Sequence, residues 1–144
     1  MPLGDPPTGT EPRRFEELEP GQEFTTSEVF DAAALDRFAL LSGDHSPLHT
    51  DVQAAMDLGY PGRVVYGFHA LALLSRIVGT FFHNAICVSV EADFTEPAFC
   101  GERIQVAAEV VKIQTAMRSV TLKVRMLRGD DVVVRGKLTT KFLP

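Results

Sequence analysis

Asp44 and His49 are the two side chains of this sequence whose types and spacing could together move protons. They stand five residues apart in the run 43–49, Gly-Asp-His-Ser-Pro-Leu-His. If Asp44 lies in a loop and His49 on the first turn of the next helix, a carboxylate and an imidazole can face one small volume. One of the two can then accept a proton while the other donates or orients one. Residue types alone leave a second interpretation open, in which Asp44 caps or forms an ion pair and His49 is an ordinary helix-surface residue.

Gly67 could complement that pair with a backbone donor. It opens an apolar run, 67–78, which predicts a helix. The first N–H groups of a helix have no partner within it, and the positive end of the helix dipole lies beside them. Such groups suit a carbonyl oxygen that gains negative charge during a reaction. Together these residues suggest proton transfer next to a polarised carbonyl group.

Three helices are predicted to position these residues. Asp31 is a good N-cap for an amphipathic helix that ends at Gly43, since apolar residues recur at three- and four-residue spacing between them. Ser46 can cap, and Pro47 can begin, a short helix that runs to about Leu58. The third helix, 67–78, is expected to end at Gly79 as its C-cap and is apolar on nearly all sides, so most of its surface must be covered.

The remaining segments predict an antiparallel sheet. A short strand is expected at 24–29, a strand at 86–94 follows the buried helix, and apolar and polar residues alternate over 104–110, 120–126 and 134–142. This order predicts an α+β fold, a single hotdog domain in which an antiparallel β-sheet wraps around a central α-helix. We expect residues 14–144 to form that domain, and residues 1–13, rich in proline and glycine, to be a disordered lead-in.

Composition excludes several classes of protein. The chain has 144 residues, 45% of them hydrophobic, which suits one globular domain with a core. A formal charge of −5 disfavours binding to nucleic acid or anionic membranes, and the longest apolar run is too short to span a bilayer. Cys87 and Cys100 form no CxxC pair, so no disulfide framework or cysteine zinc site is expected. Free thiols, and a start without a signal or transit pattern, predict a cytoplasmic protein.

The charge is unevenly distributed along the chain. Residues 1–102 carry 5 basic and 16 acidic side chains, whereas residues 103–144 carry 9 basic and 3 acidic ones. The basic residues of the last strands are expected to alternate outward and form an ordinary solvated sheet face. This interpretation is favoured over a phosphate-binding patch. The basic half could nevertheless tolerate a small polyanion such as coenzyme A.

The residues around the Asp/His pair carry a family resemblance. The stretch 38–51, Phe-Ala-Leu-Leu-Ser-Gly-Asp-His-Ser-Pro-Leu-His-Thr-Asp, with the alanines at 54–55 and Arg-Val-Val-Tyr-Gly at 63–67, resembles the MaoC-like (R)-specific enoyl-thioester hydratases and dehydratases. The signature of that family is Gly-Asp-x-Asn-Pro-aliphatic-His, with a His-Gly at the start of the hotdog helix. The resemblance extends from about Phe15 to the C-terminus, and 94–102 looks like the family's link between strands.

The resemblance implies an activity and roles for particular residues. Asp44 and His49 would hold the water that adds to the β-carbon of a 2-enoyl thioester, giving an (R)-3-hydroxyacyl thioester, or that is lost in reverse. The backbone N–H of Gly67 would polarise the thioester carbonyl. Ser75 matches a serine that lies near the pair; alternatively its hydroxyl bonds a backbone carbonyl one turn back. Which of Asp44 and His49 is the base stays open, because the pair can titrate as a unit.

The implied enzyme is a carbon–oxygen lyase (hydro-lyase) that needs no metal or other cofactor. Its substrate would be an acyl-CoA or acyl-carrier-protein thioester. His45 and His49, beside Asp44, superficially suit a metal, but no third ligand is evident and Pro47 lies between the histidines. His69, on an otherwise apolar helix, is expected to be packed or to line a pocket. A single hotdog leaves a sheet edge and an apolar helix surface, so a homodimer or higher homo-oligomer is expected.

Two departures from the signature bear on function. Ser46 stands where the family usually has Asn; both residues cap helices comparably, so the placement of His49 should survive. Tyr66 stands where the family commonly has His before Gly67, and it is expected to reshape the pocket mouth and so affect substrate choice more than chemistry. Two alternative functions remain: a hotdog acyl-thioesterase, or a non-catalytic acyl-binding or dimer-partner subunit.

Overall fold

The computed structural model describes residues 11–144, so most of the predicted lead-in of residues 1–13 lies outside the described residues. Arg13 is held by backbone bonds on both sides. Its N–H donates to the carbonyl of Phe81 at 2.7 Å, and its carbonyl accepts the N–H of His83 at 2.8 Å. The described chain is therefore anchored at Arg13, just before a short 3₁₀ turn at Phe15–Glu17.

Five antiparallel strands form one sheet, as the alternating pattern predicts. They are β1 (Glu23–Val29), β2 (Ala85–Phe94), β3 (Arg103–Gln114), β4 (Ser119–Arg128) and β5 (Asp131–Phe142). Their order across the sheet is β1-β3-β4-β5-β2. Consecutive strands β3, β4 and β5 therefore occupy the centre, and β1 and β2 are the edges. The strand that follows the long helix crosses to the far edge of the sheet.

The buried face of the three central strands is the one that the sequence alternation predicts. It consists of aliphatic side chains with Phe142 at one end: Ile104, Val106, Ala108, Val110, Val120, Leu122, Val124, Met126, Val134 and Leu138. The opposite face carries exposed basic residues, namely Lys123, Arg125, Arg135, Lys137 and Lys141. Against the buried face lies the longest helix, Gly67–Phe81, which contacts β1, β2 and β3. The hotdog prediction is thereby confirmed.

The helix before the Asp/His pair, α1 (Ala32–Ser42), begins and ends as predicted. The carboxylate of Asp31 accepts the N–H of Ala34 at 2.8 Å, which satisfies one unpaired donor of the first turn. Gly43 ends the helix in the left-handed region at φ +75°, and its N–H donates to Ala39 O at 2.9 Å. A residue with a side chain would be strained there, so glycine fixes where the chain leaves the helix and enters the Asp44 loop.

The prediction of one helix from Pro47 to about Leu58 is wrong. Two short helices occupy this stretch, α2 (Pro47–Thr50) and α3 (Val52–Asp57). Asp51 separates them with an extended backbone, and its carboxylate accepts the N–H groups of Gln53 and Ala54 at 2.9 and 3.2 Å. A side chain that caps the following turn competes with helix continuation at its own position. His49 therefore lies near the end of a four-residue helix.

The long central helix, α4 (Gly67–Phe81), continues past Gly79, so the prediction that Gly79 is its C-cap is also wrong. The extra turn brings Phe81 and Phe82 against Phe24, at ring-centroid distances of 5.3 and 5.1 Å. Aromatic packing of this kind offsets the roughly 1 kcal/mol by which a glycine weakens a helix interior.

One face of α4 is open within the single chain. Phe68 is 77% exposed, and Ala72 and Ser75 on the same face are exposed as well. The neighbouring edge strand β2 is exposed along most of its length. Coverage of the helix on most sides, which its composition predicts, is thus not reached within one copy of the described chain. No helix among the described residues is long and apolar enough to cross a membrane.

Candidate active site

A cavity of about 780 Å³ opens at the N-terminus of α4, and four of the six predicted site residues line it: Asp44, His49, Tyr66 and Gly67. The rest of the wall is mostly apolar, with Val64 and Val65 before the helix and Ala98, Ile104, Val133 and Val134 from the sheet side. Polar groups that converge in an otherwise apolar cavity are typical of a site for a small molecule.

Asp44 lies in the loop after Gly43 and is held by the residues next to it. Its N–H donates to the Ser42 hydroxyl at 3.1 Å. Its Oδ1 accepts both the hydroxyl of Ser46, at 2.5 Å, and the Ser46 N–H, at 3.0 Å. The Ser46 hydroxyl bond, and next the Ser46 N–H bond, hold the pKa of the Asp44 carboxyl below its ordinary value. Asp44 is therefore an ionised carboxylate whose Oδ1 is occupied by donors.

Ser46 does not act as the helix cap that its position predicts. It occupies the N-cap position of α2, but its side chain accepts no N–H from that helix. Its hydroxyl is turned toward the Asp44 carboxylate two residues earlier. Ser46 thus supports the site by fixing Asp44, and Pro47 at the first helical position removes a donor that would otherwise lack a partner.

His49 is held in one tautomer. Its Nδ1 lies 2.7 Å from the carbonyl oxygen of Val64. A carbonyl oxygen only accepts hydrogen bonds, so Nδ1 must carry the proton, and in the neutral ring Nε2 is then an unprotonated acceptor. The neutral imidazole therefore keeps an acceptor at Nε2, and His49 lines the same cavity as Asp44.

Arg63 and Val64 are the part of the site that sequence reasoning missed. Arg63 is only 7% exposed, and its Nε donates to the backbone carbonyl of His49 at 2.7 Å. Its Nη2 bonds the Asp36 carboxylate on α1, also at 2.7 Å. Val64 adds a backbone bond from its N–H to the Leu48 carbonyl at 3.1 Å. The segment just before α4 therefore fastens α2, which carries His49. Arg63 is part of the recognised motif, but nothing in its spacing indicates that it is buried.

Tyr66 contacts both members of the pair. Its hydroxyl donates to the backbone carbonyl of Asp44 at 2.7 Å, and its ring stacks on the His49 imidazole with centroids 4.0 Å apart. The residue is 2% exposed, and burial raises the pKa of its phenol above the ordinary value. Tyr66 is thus a buried wall of the cavity, held against the loop and helix that carry the pair.

Gly67 begins α4 directly behind this wall, and the ring of Phe94 lies against it. A Cβ at Gly67 would come within 2.6 Å of Cε1 of Phe94, so the absence of a side chain lets the ring approach the backbone. As the first residue of a 15-residue helix, Gly67 has an N–H without a partner inside that helix. The donor predicted for a carbonyl oxygen therefore lies in the same cavity as the Asp/His pair.

Ser75 is not brought to the pair. It lies eight residues beyond Gly67, about 12 Å along the helix, and points to the open face of α4 with Phe68 and Ala72. It lines a second cavity of about 500 Å³ between α1 and α4. The sequence match fixes its place along the helix but not which face of the helix borders the catalytic pair within one chain.

His69 and His45 lie outside the cavity that holds the Asp/His pair. His69 lines the second cavity, as predicted, between the rings of Phe30 and Phe38 at 4.5 and 4.6 Å, and burial lowers its pKa. His45 is exposed beside Asp44. Across residues 11–144, no group of three or more His, Cys, Asp or Glu side chains could hold a metal ion.

Comparison with known proteins identifies the family of this chain. Residues 13–132 match the family described as MaoC like domain. The chain belongs to that family. Over 128 residues it is 29% identical to the (R)-specific enoyl-CoA hydratase of Aeromonas caviae, covering 87% of this chain and 96% of that protein. It is 26% identical over 129 residues to the 3-hydroxybutyryl-CoA dehydratase of Methylorubrum extorquens, covering 88% and 82% of the two chains.

The MaoC-like fold is equally clear in three dimensions. The solved structure of the (R)-hydratase from A. caviae involved in PHA biosynthesis superimposes with a TM-score of 0.85 at 28% identity, covering 89% of this chain and 99% of that one. The names of these MaoC-like relatives describe enzymes that add or remove water, so the chain is assigned to the hydro-lyases.

Proposed function

We propose that this protein catalyses the reversible hydration of a 2-enoyl thioester to an (R)-3-hydroxyacyl thioester, with Asp44 and His49 acting on the water and Gly67 on the thioester carbonyl. One observation carries the proposal: an ionised Asp44 and a His49 with a free Nε2 line the same apolar cavity as the first N–H of α4. A base, a second water ligand and an oxyanion donor are the groups that addition of water to an enoyl thioester requires.

The base is assigned to His49. Because two donors from Ser46 lower the pKa of the Asp44 carboxyl, this carboxylate is a poor proton acceptor near neutral pH. The His49 imidazole is the remaining candidate, because in its neutral form the bond from Nδ1 to Val64 leaves Nε2 as a proton acceptor. In this assignment Asp44 holds and orients the water and stabilises the imidazolium that forms.

The proposed reaction consists of two proton transfers, one from water to His49 and one from His49 to the α-carbon. Nε2 of His49 takes a proton from water while the water oxygen bonds to the β-carbon, and the electron pair of the double bond moves toward the thioester carbonyl. The carbonyl oxygen, now negatively charged, accepts the N–H of Gly67 at the positive end of the α4 dipole. His49 returns the proton to the α-carbon, so both parts of the water add from one face. The reverse sequence removes water.

The carrier of the acyl group is proposed to be coenzyme A or an acyl carrier protein. Both relatives compared above are named for CoA thioesters. The basic segment 103–144 supports tolerance of phosphate groups. Cys87 and Cys100 form no disulfide in the described chain, which favours a reducing compartment, and the proposed location is the cytoplasm.

The proposed assembly is a homodimer or a higher homo-oligomer. The open face of α4, with Phe68, lies beside the exposed edge strand β2, so one surface combines apolar side chains with unpaired strand groups. A second copy of the chain can cover both by two-fold symmetry. Sedimentation of the purified chain tests this part separately: a monomer at micromolar concentration would contradict it.

The activity test uses a four-carbon 2-enoyl thioester on both carriers, and follows the loss of absorbance of the conjugated double bond. The wild type should consume it and form the (R)-3-hydroxy product without releasing free thiol, whereas Asp44→Asn and His49→Gln should be strongly impaired. Thiol release by the wild type would identify a thioesterase. Binding of the thioester without turnover would identify a non-catalytic acyl-binding subunit.

A further inference from the structure

Tyr66, the residue before Gly67, contacts both members of the proposed catalytic pair through its side chain. We propose that Tyr66 is a positioning residue with two separable contacts: its hydroxyl fixes the loop at Asp44, and its ring fixes the plane of the His49 imidazole. The inference rests on the proposed function, since it assigns Tyr66 a part in that reaction. It differs from the sequence expectation that Tyr66 shapes the cavity mouth and affects substrate choice.

The hydroxyl is the long-range tether of Asp44. The other hydrogen bonds of Asp44 within the described chain join it to Ser42 and Ser46, each two residues away, and such local bonds shape the loop without locating it in the fold. The bond from the Tyr66 hydroxyl to the Asp44 carbonyl, at 2.7 Å, spans 22 residues. Because burial raises the pKa of the phenol, the hydroxyl remains a donor throughout the neutral range.

The phenol ring of Tyr66 fixes the plane of the His49 imidazole, which the hydrogen bond of the imidazole alone does not fix. The bond from Nδ1 of His49 to the Val64 carbonyl fixes one ring atom, but it leaves the imidazole free to swing about the N···O axis. The phenol ring lies 4.0 Å from the imidazole centroid at an interplanar angle of 24°, which restricts that swing. Phe38 supports the Tyr66 ring in turn, at 4.8 Å. The direction of the Nε2 lone pair is therefore set by the stack.

Two substitutions separate the contacts. Tyr66→Phe removes only the hydroxyl, and Tyr66→Leu removes the hydroxyl and the ring. A net hydrogen bond of ordinary strength corresponds to up to about a tenfold change in rate, so Tyr66→Phe should lower kcat by about tenfold. KM should stay within about twofold, because substrate-binding walls are unchanged. Tyr66→Leu should lower kcat by about a hundredfold, since a misaimed base loses much of its general-base contribution.

The matched control is Tyr60→Phe. Tyr60 is the only other tyrosine of the sequence, and it faces Phe99 at 6.0 Å outside the cavity. Removal of the Tyr60 hydroxyl in this variant should leave kcat and KM equal to those of the wild type. Thermal unfolding of all three variants provides the check that the fold persists.

A spectroscopic readout tests positioning without relying on turnover. In protein with ¹⁵N-labelled histidine, the Nδ1 proton of His49 should exchange slowly in the wild type, Tyr66→Phe and Tyr60→Phe, and rapidly in Tyr66→Leu. A wild type that hydrates no thioester overturns the proposed function. A Tyr66→Leu variant whose Nδ1 proton exchanges as slowly as in Tyr60→Phe overturns the positioning role, whatever the activity. Equal kcat in Tyr66→Phe and Tyr60→Phe overturns the hydroxyl's part of it.

Discussion

The Nδ1 atom of His49 lies 2.7 Å from the backbone carbonyl oxygen of Val64, on the segment that leads into α4. This one bond decides the chemistry available to His49, because it commits the proton to Nδ1 and leaves Nε2 as the acceptor. Val64 also donates its own N–H to the Leu48 carbonyl at 3.1 Å. Val64 therefore selects the tautomer of His49 through its carbonyl and is bonded through its N–H to Leu48, the residue before His49.

His49→Gln should lower kcat for hydration of a 2-enoyl thioester by about a thousandfold, within the range for removal of a general base. Glutamine can still donate to the Val64 carbonyl, so the fold should persist, but its amide cannot accept a proton near neutral pH. Steady-state kinetics measures the loss, and His45→Gln, four residues earlier on the exposed loop, is the control. Similar rates for the two variants would remove His49 from the mechanism.

Ser46→Ala should raise the pKa of the Asp44 carboxyl, because it deletes the hydroxyl bond that contributes most to the lowered value. A lowered folded-state pKa contributes stability that is present above the unfolded carboxyl pKa and lost as the pH falls through the folded one. In Ser46→Ala this acid-side loss should therefore be smaller and should end at higher pH, closer to the unfolded carboxyl pKa. Carboxyl ¹³C titration by NMR measures the midpoint, and Ser75→Ala should leave it unchanged. An unmoved midpoint in Ser46→Ala would mean that the Ser46 hydroxyl does not bind Asp44 in solution.

The features that the sequence predicts well are those with local causes. The strand alternation over 104–142 and the ends of α1 at Asp31 and Gly43 depend on neighbours within a few residues, and all of them are found in the structure. The error at Gly79 arises where a distant contact decides, since this glycine stays helical because the turn beyond it packs on β1. The break at Asp51 has a local cause that the apolar spacing does not reveal, because the Asp51 carboxylate caps α3.

The candidate site divides in the same way. The motif places Asp44, His49 and Gly67 at one cavity, as the resemblance implies. The role of Arg63 could not be predicted, since its burial depends on Asp36, which the fold brings from 27 residues earlier in the chain. Nor does the motif indicate that Tyr66 stacks on His49, because ring stacking depends on the rotation of both side chains.

Arg63→Lys should reduce both activity and stability. A lysine keeps the charge but cannot reach the His49 carbonyl and the Asp36 carboxylate at once, so one charge-assisted bond is lost. The Asp36 side chain is 65% exposed, so solvent screens the ion pair, and the bond to His49 should matter more. We expect kcat to fall about tenfold and the unfolding free energy by about 1.5 kcal/mol.

Kinetics and denaturant unfolding measure these two effects. The control is Arg118→Lys, whose ion pair with Glu16 is exposed and remote from the cavity. Loss of stability with unchanged kcat would show that Arg63 supports the fold but does not position His49.

Gly67→Ala should impair activity while leaving the helix intact. The backbone of Gly67 is not left-handed, and alanine favours a helix over glycine by about 1 kcal/mol, so the first turn of α4 should not be weakened. The added methyl group would lie 2.6 Å from the ring of Phe94, which is 52% exposed and can rotate. Phe94 also lines the cavity, so the displaced ring should crowd the thioester beside the Gly67 N–H and raise KM.

The double variant Gly67→Ala with Phe94→Ala tests whether displacement of the Phe94 ring is the cause of the raised KM. Removal of the ring relieves the clash, so KM should return toward that of Phe94→Ala alone, and the deviation from additivity in the double-mutant cycle measures the contact. Gly79→Ala, in the same helix with open space around it, should add stability and leave kinetics unchanged. Additive effects of the two site substitutions would show that the methyl group acts on the Gly67 N–H directly, and not through Phe94.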